Sequence, residues 1–159
     1  MFPVPPQRPA PVPLSRSWQY ELRIPRDPRG PRVARRTLRA VLALHELGEL
    51  AERAELLASE LATNSVRYTK GPASVRVEWL HPALRVSVWD PDPGLPVVCG
   101  GPRPGPPADA DHGRGLLLLD LLADRWGACP LGDSPWGPGG KTIWFELLVG
   151  DGQPQAVAA

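Results

Sequence analysis

The chain has 159 residues, a length that fits one domain of ordinary size. Its 18 basic and 17 acidic side chains leave a formal net charge of +1, which excludes the overall basic field that drives nucleic-acid binding. Cys99 and Cys129 have no nearby His or Cys partner for a metal site, and no stretch approaches the roughly 20 apolar residues of a membrane helix. We therefore expect a cytoplasmic protein that binds neither nucleic acid nor membrane.

Clusters of proline and glycine divide the chain into three predicted segments. Residues 1–15 are proline-rich and predict a disordered tail, because proline removes backbone donors and little there could pack. Residues 16–150 form the predicted folded domain. Residues 151–159 are expected to be a flexible C-terminal tail.

Seven arginines lie early in the chain, and the sequence allows more than one role for them. The simplest interpretation is the solvated face of a helix together with the segment that leads into it. The alternative is a surface that docks an acidic protein, with nucleic acid as the weakest candidate. The seven are Arg23, Arg26, Arg29, Arg32, Arg35, Arg36 and Arg39.

The first half of the domain predicts a strand followed by two helices. Apolar and polar residues alternate over 17–24, the pattern of a half-buried strand. Apolar residues at helical spacing predict one helix over 32–47, with Gly48 as its C-terminal stop, and a second over 50–68.

The second half predicts mostly strands. Two strands, 73–80 and 84–90, are joined by a tight turn, and residues 91–113 are too rich in Pro and Gly for regular structure. A helix over 114–123 and strands over 125–129 and 141–149 follow. Because the helices come mostly as a pair and most strands are adjacent in sequence, we predict an α/β two-layer sandwich. Its sheet is expected to be mixed but mostly antiparallel, with the helices on one face.

Two polar residues interrupt the apolar stripe of the second predicted helix. Asn64 lies three residues after Leu61, on the buried face, and Glu60 lies one turn before Asn64. An unpaired buried polar group costs on the order of 1–3 kcal/mol, so these side chains need a partner. Either Glu60 turns to solvent and Asn64 bonds a loop backbone, or both serve a ligand.

Two further segments carry weaker signals of a binding site. Asp90 ends a strand and begins a turn, where it either initiates the turn or accepts a hydrogen bond from an exocyclic amine. Gly113-Arg114-Gly115 precedes the predicted apolar helix, where a backbone free of side chains can approach an anion. A lone Gly-x-Gly also fits a flexible loop.

Taken in order, these segments resemble the GHKL (Bergerat-fold) ATPases. More narrowly, they resemble the anti-sigma-factor serine/threonine kinases that are abundant in actinobacteria. The resemblance covers nearly the whole domain. It rests on Ser59–Tyr68 as an N box, Asp90–Gly94 as a G1 box, Gly113–Leu116 as a G2 box, the following Leu122–Gly127, and the final Gly-Lys-Thr-Ile-Trp-Phe-Glu-Leu.

The resemblance implies ATP and Mg²⁺ as ligands and a role for each motif. Asn64 would ligate the Mg²⁺, Glu60 would act as the general base, and Asp90 would accept from the adenine amine. The other implied nucleotide-binding residues are Gly94 beside the base, Gly113, Arg114 and Gly115 along the phosphates, Leu116 completing that motif, and Thr142 on the adenine side. Residues 95–112 correspond to a mobile ATP lid.

The chain departs from the family pattern at several positions. Asp92 replaces the first glycine of the G1 box, and we expect its carboxylate to face solvent because it would repel phosphate. His112 stands where an acidic residue or glycine is common. The lid is short and contains several prolines. We expect these departures to slow turnover more than they weaken nucleotide binding.

Three candidate functions are consistent with these residues. The first is an anti-sigma-type kinase that transfers the γ-phosphate of ATP to a serine of a small antagonist (anti-anti-sigma) protein, with a sigma factor as a further candidate partner. The second is a non-catalytic module whose partner binding is controlled by ATP. The third is an interaction domain that binds no nucleotide. The resemblance and an exposed edge strand near 18–24 also suggest a homodimer.

Overall fold

A computed structural model describes most of the predicted domain. The described residues are 16–69, 71–92, 110–131 and 139–150, with side chains in the last helix described from Leu116 onward. The predicted tails at 1–15 and 151–159, residues 95–109 of the predicted lid, and Gly94 lie outside them.

The order of elements is the one expected from the sequence. The elements are β1 (Trp18–Ile24), α1 (Gly30–Leu44), a short 3-10 helix (Gly48–Leu50), α2 (Ala51–Tyr68), β2 (Ala73–Leu80), β3 (Ala83–Asp90), α3 (Ala110–Leu122), β4 (Arg125–Pro130) and β5 (Lys141–Leu148).

The described strands form one sheet in the order β1-β2-β3-β5-β4. Each neighbouring pair is antiparallel, so the sheet is more uniform than the mixed sheet that we expected. The α/β two-layer sandwich is confirmed. Of the helices that the structure describes, none has both the length and the apolar character of a membrane span.

The core lies between the helices and one face of the sheet. Leu57 and Leu61 of α2, which the periodicity placed on one stripe, are buried together with Leu38 of α1. They meet Val86 of β3 and Phe145 of β5, which face each other in register. Burying each such side chain contributes about 1.5–3 kcal/mol, so this contact fixes α2 against the centre of the sheet.

The boundaries of α1 differ from the prediction at both ends. The helix begins at Gly30 because Pro31 fits the first turn, where a missing N–H costs nothing. It ends at Leu44, and the left-handed turn that follows falls on Glu46, with φ of 58°. Gly48 as the helix stop was therefore wrong, since that residue begins the 3-10 helix.

Charged side chains connect the helices to each other and to the sheet. Glu55 of α2 is buried, and Nη2 of Arg39 donates to its Oε2 at 2.8 Å. Nη1 of Arg53 donates to the carbonyl of Leu122 at the end of α3. Asp124 then accepts from the backbone N–H of Leu148 at 2.7 Å. The first two contacts join α2 to α1 and to α3, and the third joins the end of α3 to the end of β5.

Candidate functional site

Asp90 is the last residue of β3, and its carboxylate is buried beneath α2. The residue is 4% exposed. The hydroxyl of Ser65 donates to Oδ2 at 3.1 Å, and the backbone N–H of Asp92 donates to Oδ1 at 3.1 Å. Because a carboxylate oxygen can accept more than one hydrogen bond, Asp90 keeps acceptor capacity for a ligand.

Lys141 pairs with Asp90, a contact that the sequence analysis missed. The two residues are opposite each other in the β3–β5 register, and Nζ lies 3.1 Å from Oδ1. Nζ also donates to the backbone carbonyl of Asp92 at 3.3 Å. Strand alternation could have predicted this contact. Lys141 is four residues before the buried Phe145, and side chains an even number of residues apart on a strand lie on the same face of the sheet.

Gly140 allows β5 to start close to Asp90. Its φ is +67°, and a Cβ placed on it would lie 2.0 Å from the backbone carbonyl oxygen of Asp90. No side chain fits there, so the glycine brings the two strand ends together. The position of Lys141 beside Asp90 follows directly.

Glu60 and Asn64 lie one turn apart on α2, as the sequence predicted. Both are half-buried, and neither side chain has a hydrogen-bond or ion-pair partner within the described part of the chain. Asn64 directly precedes Ser65, which reaches Asp90, so this turn of α2 lies next to the buried carboxylate. The carboxylate and the amide at this position are therefore available to a ligand.

The glycine motif lies inside α3 and does not precede it. The helix begins at Ala110, so Gly113, Arg114 and Gly115 belong to its first two turns. The predicted start at 114 was therefore wrong by four residues. The side chain of Leu116 is buried in the hydrophobic core, against α2 and the sheet.

Thr142 and Asp92 are not where the sequence analysis expected them. Thr142 pairs with Trp89, so its side chain leaves the sheet on the face away from Asp90. There it lines a cavity of about 510 Å³. Lys141, one residue earlier on β5, is the residue that shares a face with Asp90. The carboxylate of Asp92 is 42% exposed and its Oδ2 lies 4.0 Å from Nζ of Lys141, so it only partly faces solvent.

A second cavity, of about 680 Å³, lies between α1 and α2 and is called the arginine groove below. Ser59 and Thr63 contribute hydroxyls to its α2 side. Four guanidinium groups line it, and none of them has an acidic partner among the described residues. They belong to Arg26, Arg32, Arg35 and Arg67.

Asp27, which directly follows the groove residue Arg26 in the sequence, is paired with a different arginine. Asp27 accepts from Nε of Arg29 at 3.0 Å and from Nη2 at 2.8 Å. The Arg29 side chain, helped by the Arg29 backbone N–H, holds the pKa of Asp27 at about 2. The arginine groove therefore keeps its positive charge.

The fold is an α/β sandwich, and the residues around Asp90 fit a nucleotide. A buried acceptor at a strand end can take a base amine, and partner-free polar groups on the adjacent helix can serve the phosphate end. The model of the histidine kinase-like ATPase domain matches residues 24–146, which is most of the chain. The protein belongs to this family, the GHKL-type ATPases.

One relative also matches part of the chain. It is an uncharacterized protein of Streptomyces coelicolor, 47% identical over 64 residues. The match covers 39% of this chain and 57% of the relative.

Proposed function

We propose that the protein is an anti-sigma-type serine/threonine kinase that transfers the γ-phosphate of ATP to a serine of a small antagonist protein. One observation carries the proposal: Glu60 and Asn64 lie one turn apart, without side-chain partners among the described residues, on the helix whose Ser65 contacts the buried Asp90. In this proposal Asp90 is the acceptor for the adenine amine, Asn64 is the metal ligand and Glu60 is the general base. Phosphoryl transfer needs little more than this positioning.

The chemistry assigns one task to each residue. Asp90 accepts from the adenine amine and fixes the base. Glu60 accepts the proton of the attacking serine hydroxyl while the bond between the γ-phosphorus and the bridging oxygen of ADP breaks. Asn64 offers its amide oxygen to Mg²⁺ at the phosphate end.

The donor set fits magnesium held mainly by the nucleotide. Mg²⁺ favours one or two protein oxygens completed by phosphate oxygens and water. Among the described residues there is no group of three or more His, Cys, Asp and Glu side chains that could hold a metal alone. When bound, Mg²⁺ neutralises the developing charge on the phosphate oxygens.

The arginine groove supports a protein partner with an acidic surface. Ser59 and Thr63 of the groove directly precede Glu60 and Asn64 on α2. An acidic segment bound there would lie beside the helix turns that carry the proposed base. We assign the groove to the antagonist protein, with a sigma factor as the second candidate, and the cytoplasm as the place of action.

A non-catalytic, ATP-controlled interaction module is the second candidate function. It is favoured by Asp92, which places a partly exposed carboxylate 4.0 Å from Lys141 where the family pattern has glycine. Such a charge beside the nucleotide disfavours turnover more than binding. A homodimer through β1, an edge strand of the described sheet, is compatible with either function.

Transfer of labelled γ-phosphate from Mg-ATP to candidate antagonist proteins tests the kinase. The decisive variant is Glu60→Gln, which keeps the shape and removes the base. Glu52→Gln, at an exposed position on the same helix, is the matched control. We expect transfer to fall at least about 100-fold in Glu60→Gln and to be unchanged in the control.

Calorimetry with Mg-ATP, combined with the transfer assay, separates the kinase from the non-catalytic interaction module. Binding without transfer in the unaltered protein supports the interaction module. Absence of binding would contradict both functions.

A further inference from the structure

Lys141 places a positive charge in a largely buried position, where desolvation of the ammonium group costs free energy. Its side chain is only 10% exposed, on the core side of the sheet. Its ammonium group has three N–H donors, of which one is used by the carbonyl of Asp92. The ion pair with Oδ1 of Asp90 leaves donor capacity beside that carboxylate.

The carboxylate of Asp90 does not need Lys141 for its hydrogen bonds. Ser65 already donates to Oδ2, and the backbone of Asp92 donates to Oδ1. A buried ion pair is weak evidence for stability, because desolvation of both charges offsets their attraction. A role toward a ligand therefore accounts better for a lysine at this position than a structural role does.

The edge of adenine presents two groups side by side: the exocyclic amine, which donates, and N1, which accepts. A base whose amine donates to Asp90 brings N1 to the region beside that carboxylate. The ammonium group that lies 3.1 Å from Oδ1 occupies that region. The pair thus offers an acceptor and a donor in the order that the adenine edge requires.

We propose that Lys141 donates a hydrogen bond to N1 of the adenine and is a second base-reading residue next to Asp90. The inference rests on the proposed ATP site. It assigns base selectivity to two side chains on neighbouring strands, β3 and β5, which Gly140 holds close together.

Two ATP analogues test this without any change to the protein. In 1-deaza-ATP a C–H replaces N1 while the amine stays, and in purine riboside triphosphate the amine is missing while N1 stays. We expect calorimetry to show that the unaltered protein binds 1-deaza-ATP about tenfold or more weakly than ATP, the loss of a charge-assisted hydrogen bond. Equal affinities for ATP and 1-deaza-ATP would overturn the proposal.

The variant Lys141→Met then separates base reading from support of Asp90. It removes the donor and keeps a long apolar stem. If Lys141 reads N1, the variant binds ATP and 1-deaza-ATP within about twofold of each other but still discriminates against purine riboside triphosphate, which Asp90 reads. A uniform loss for all three nucleotides, with the ATP to 1-deaza-ATP ratio unchanged, would show that Lys141 only positions Asp90.

The control is Ser87→Ala, three residues before Asp90 on β3 and on the other face of the sheet. It should leave all three affinities unchanged. If the unaltered protein binds no nucleotide at all, the proposed ATP site fails, and this outcome is distinct from a failure of the Lys141 assignment.

Discussion

The hydroxyl of Ser65 donates to Oδ2 of Asp90 at 3.1 Å, and this contact joins α2 to the end of β3 inside the core. The carbonyl oxygen of Leu61, one turn earlier, lies at the same 3.1 Å from this hydroxyl and shares its single proton with the carboxylate. Through this contact the helix that carries Glu60 and Asn64 is aligned with the proposed base acceptor. The contact thereby sets the position of this turn of α2 relative to Asp90.

Loss of the Ser65–Asp90 hydrogen bond should lower both the free energy of unfolding and the affinity for ATP. We expect Ser65→Ala to lower the free energy of unfolding by about 1–3 kcal/mol, because a buried carboxylate loses one of its donors. ATP affinity should fall in parallel. Urea unfolding and calorimetry measure the two effects, and Ser59→Ala on the same helix is the control. Unchanged ATP affinity in Ser65→Ala would show that the alignment of α2 does not depend on this bond.

Gly140 should not tolerate any side chain. Gly140→Ala places a Cβ 2.0 Å from the carbonyl oxygen of Asp90, at φ of +67°, and we expect it to cost about 2 kcal/mol or more. Gly48→Ala is a matched control, because nothing lies within 4 Å of a Cβ at that position. Its stability should change by less than about 1 kcal/mol. Thermal unfolding of both variants checks the prediction, and equal effects would argue against a close strand approach.

The arginine groove should attract acidic chains through specific arginines. A labelled deca-glutamate peptide serves as the probe, with fluorescence anisotropy as the measurement. Arg32→Glu combined with Arg35→Glu should weaken binding by about tenfold or more, since both charges are reversed inside the groove. Arg36→Glu, an exposed neighbour that does not line the groove, should change it much less. Equal loss in all variants would indicate unspecific attraction by net charge.

Asp27 should titrate with a pKa of about 2, below its ordinary value of 3.8. Because the folded-state pKa is lowered, its contribution to stability is present above about pH 4 and is lost as the pH falls through about 2. Arg29→Gln removes the larger cause, the side-chain hydrogen bonds, and leaves the backbone N–H bond of 2.8 Å. The pKa should therefore rise but stay below the ordinary value. Carboxyl-carbon NMR titration measures both, and an unchanged pKa in the variant would refute the assignment.

Much of the fold was accessible from the sequence because it depends on local patterns. The stripe of Leu57 and Leu61 fixed the orientation of α2, and it also exposed Asn64 as a polar residue on the buried face. Alternation identified the strands to within a residue or two. Helix ends were less predictable, because Pro31 and Glu46 act through backbone geometry that the hydrophobic pattern does not contain.

The sequence by itself determined the family, the order of the elements and the helix turn that carries Glu60 and Asn64. Only the tertiary structure decided which residues share a face with Asp90. It brought in Ser65 and Lys141 and directed Thr142 to the opposite face. The physical reason is register: on a strand, one residue of offset reverses the face, and the offset between β3 and β5 is set by long-range pairing and by the close approach at Gly140.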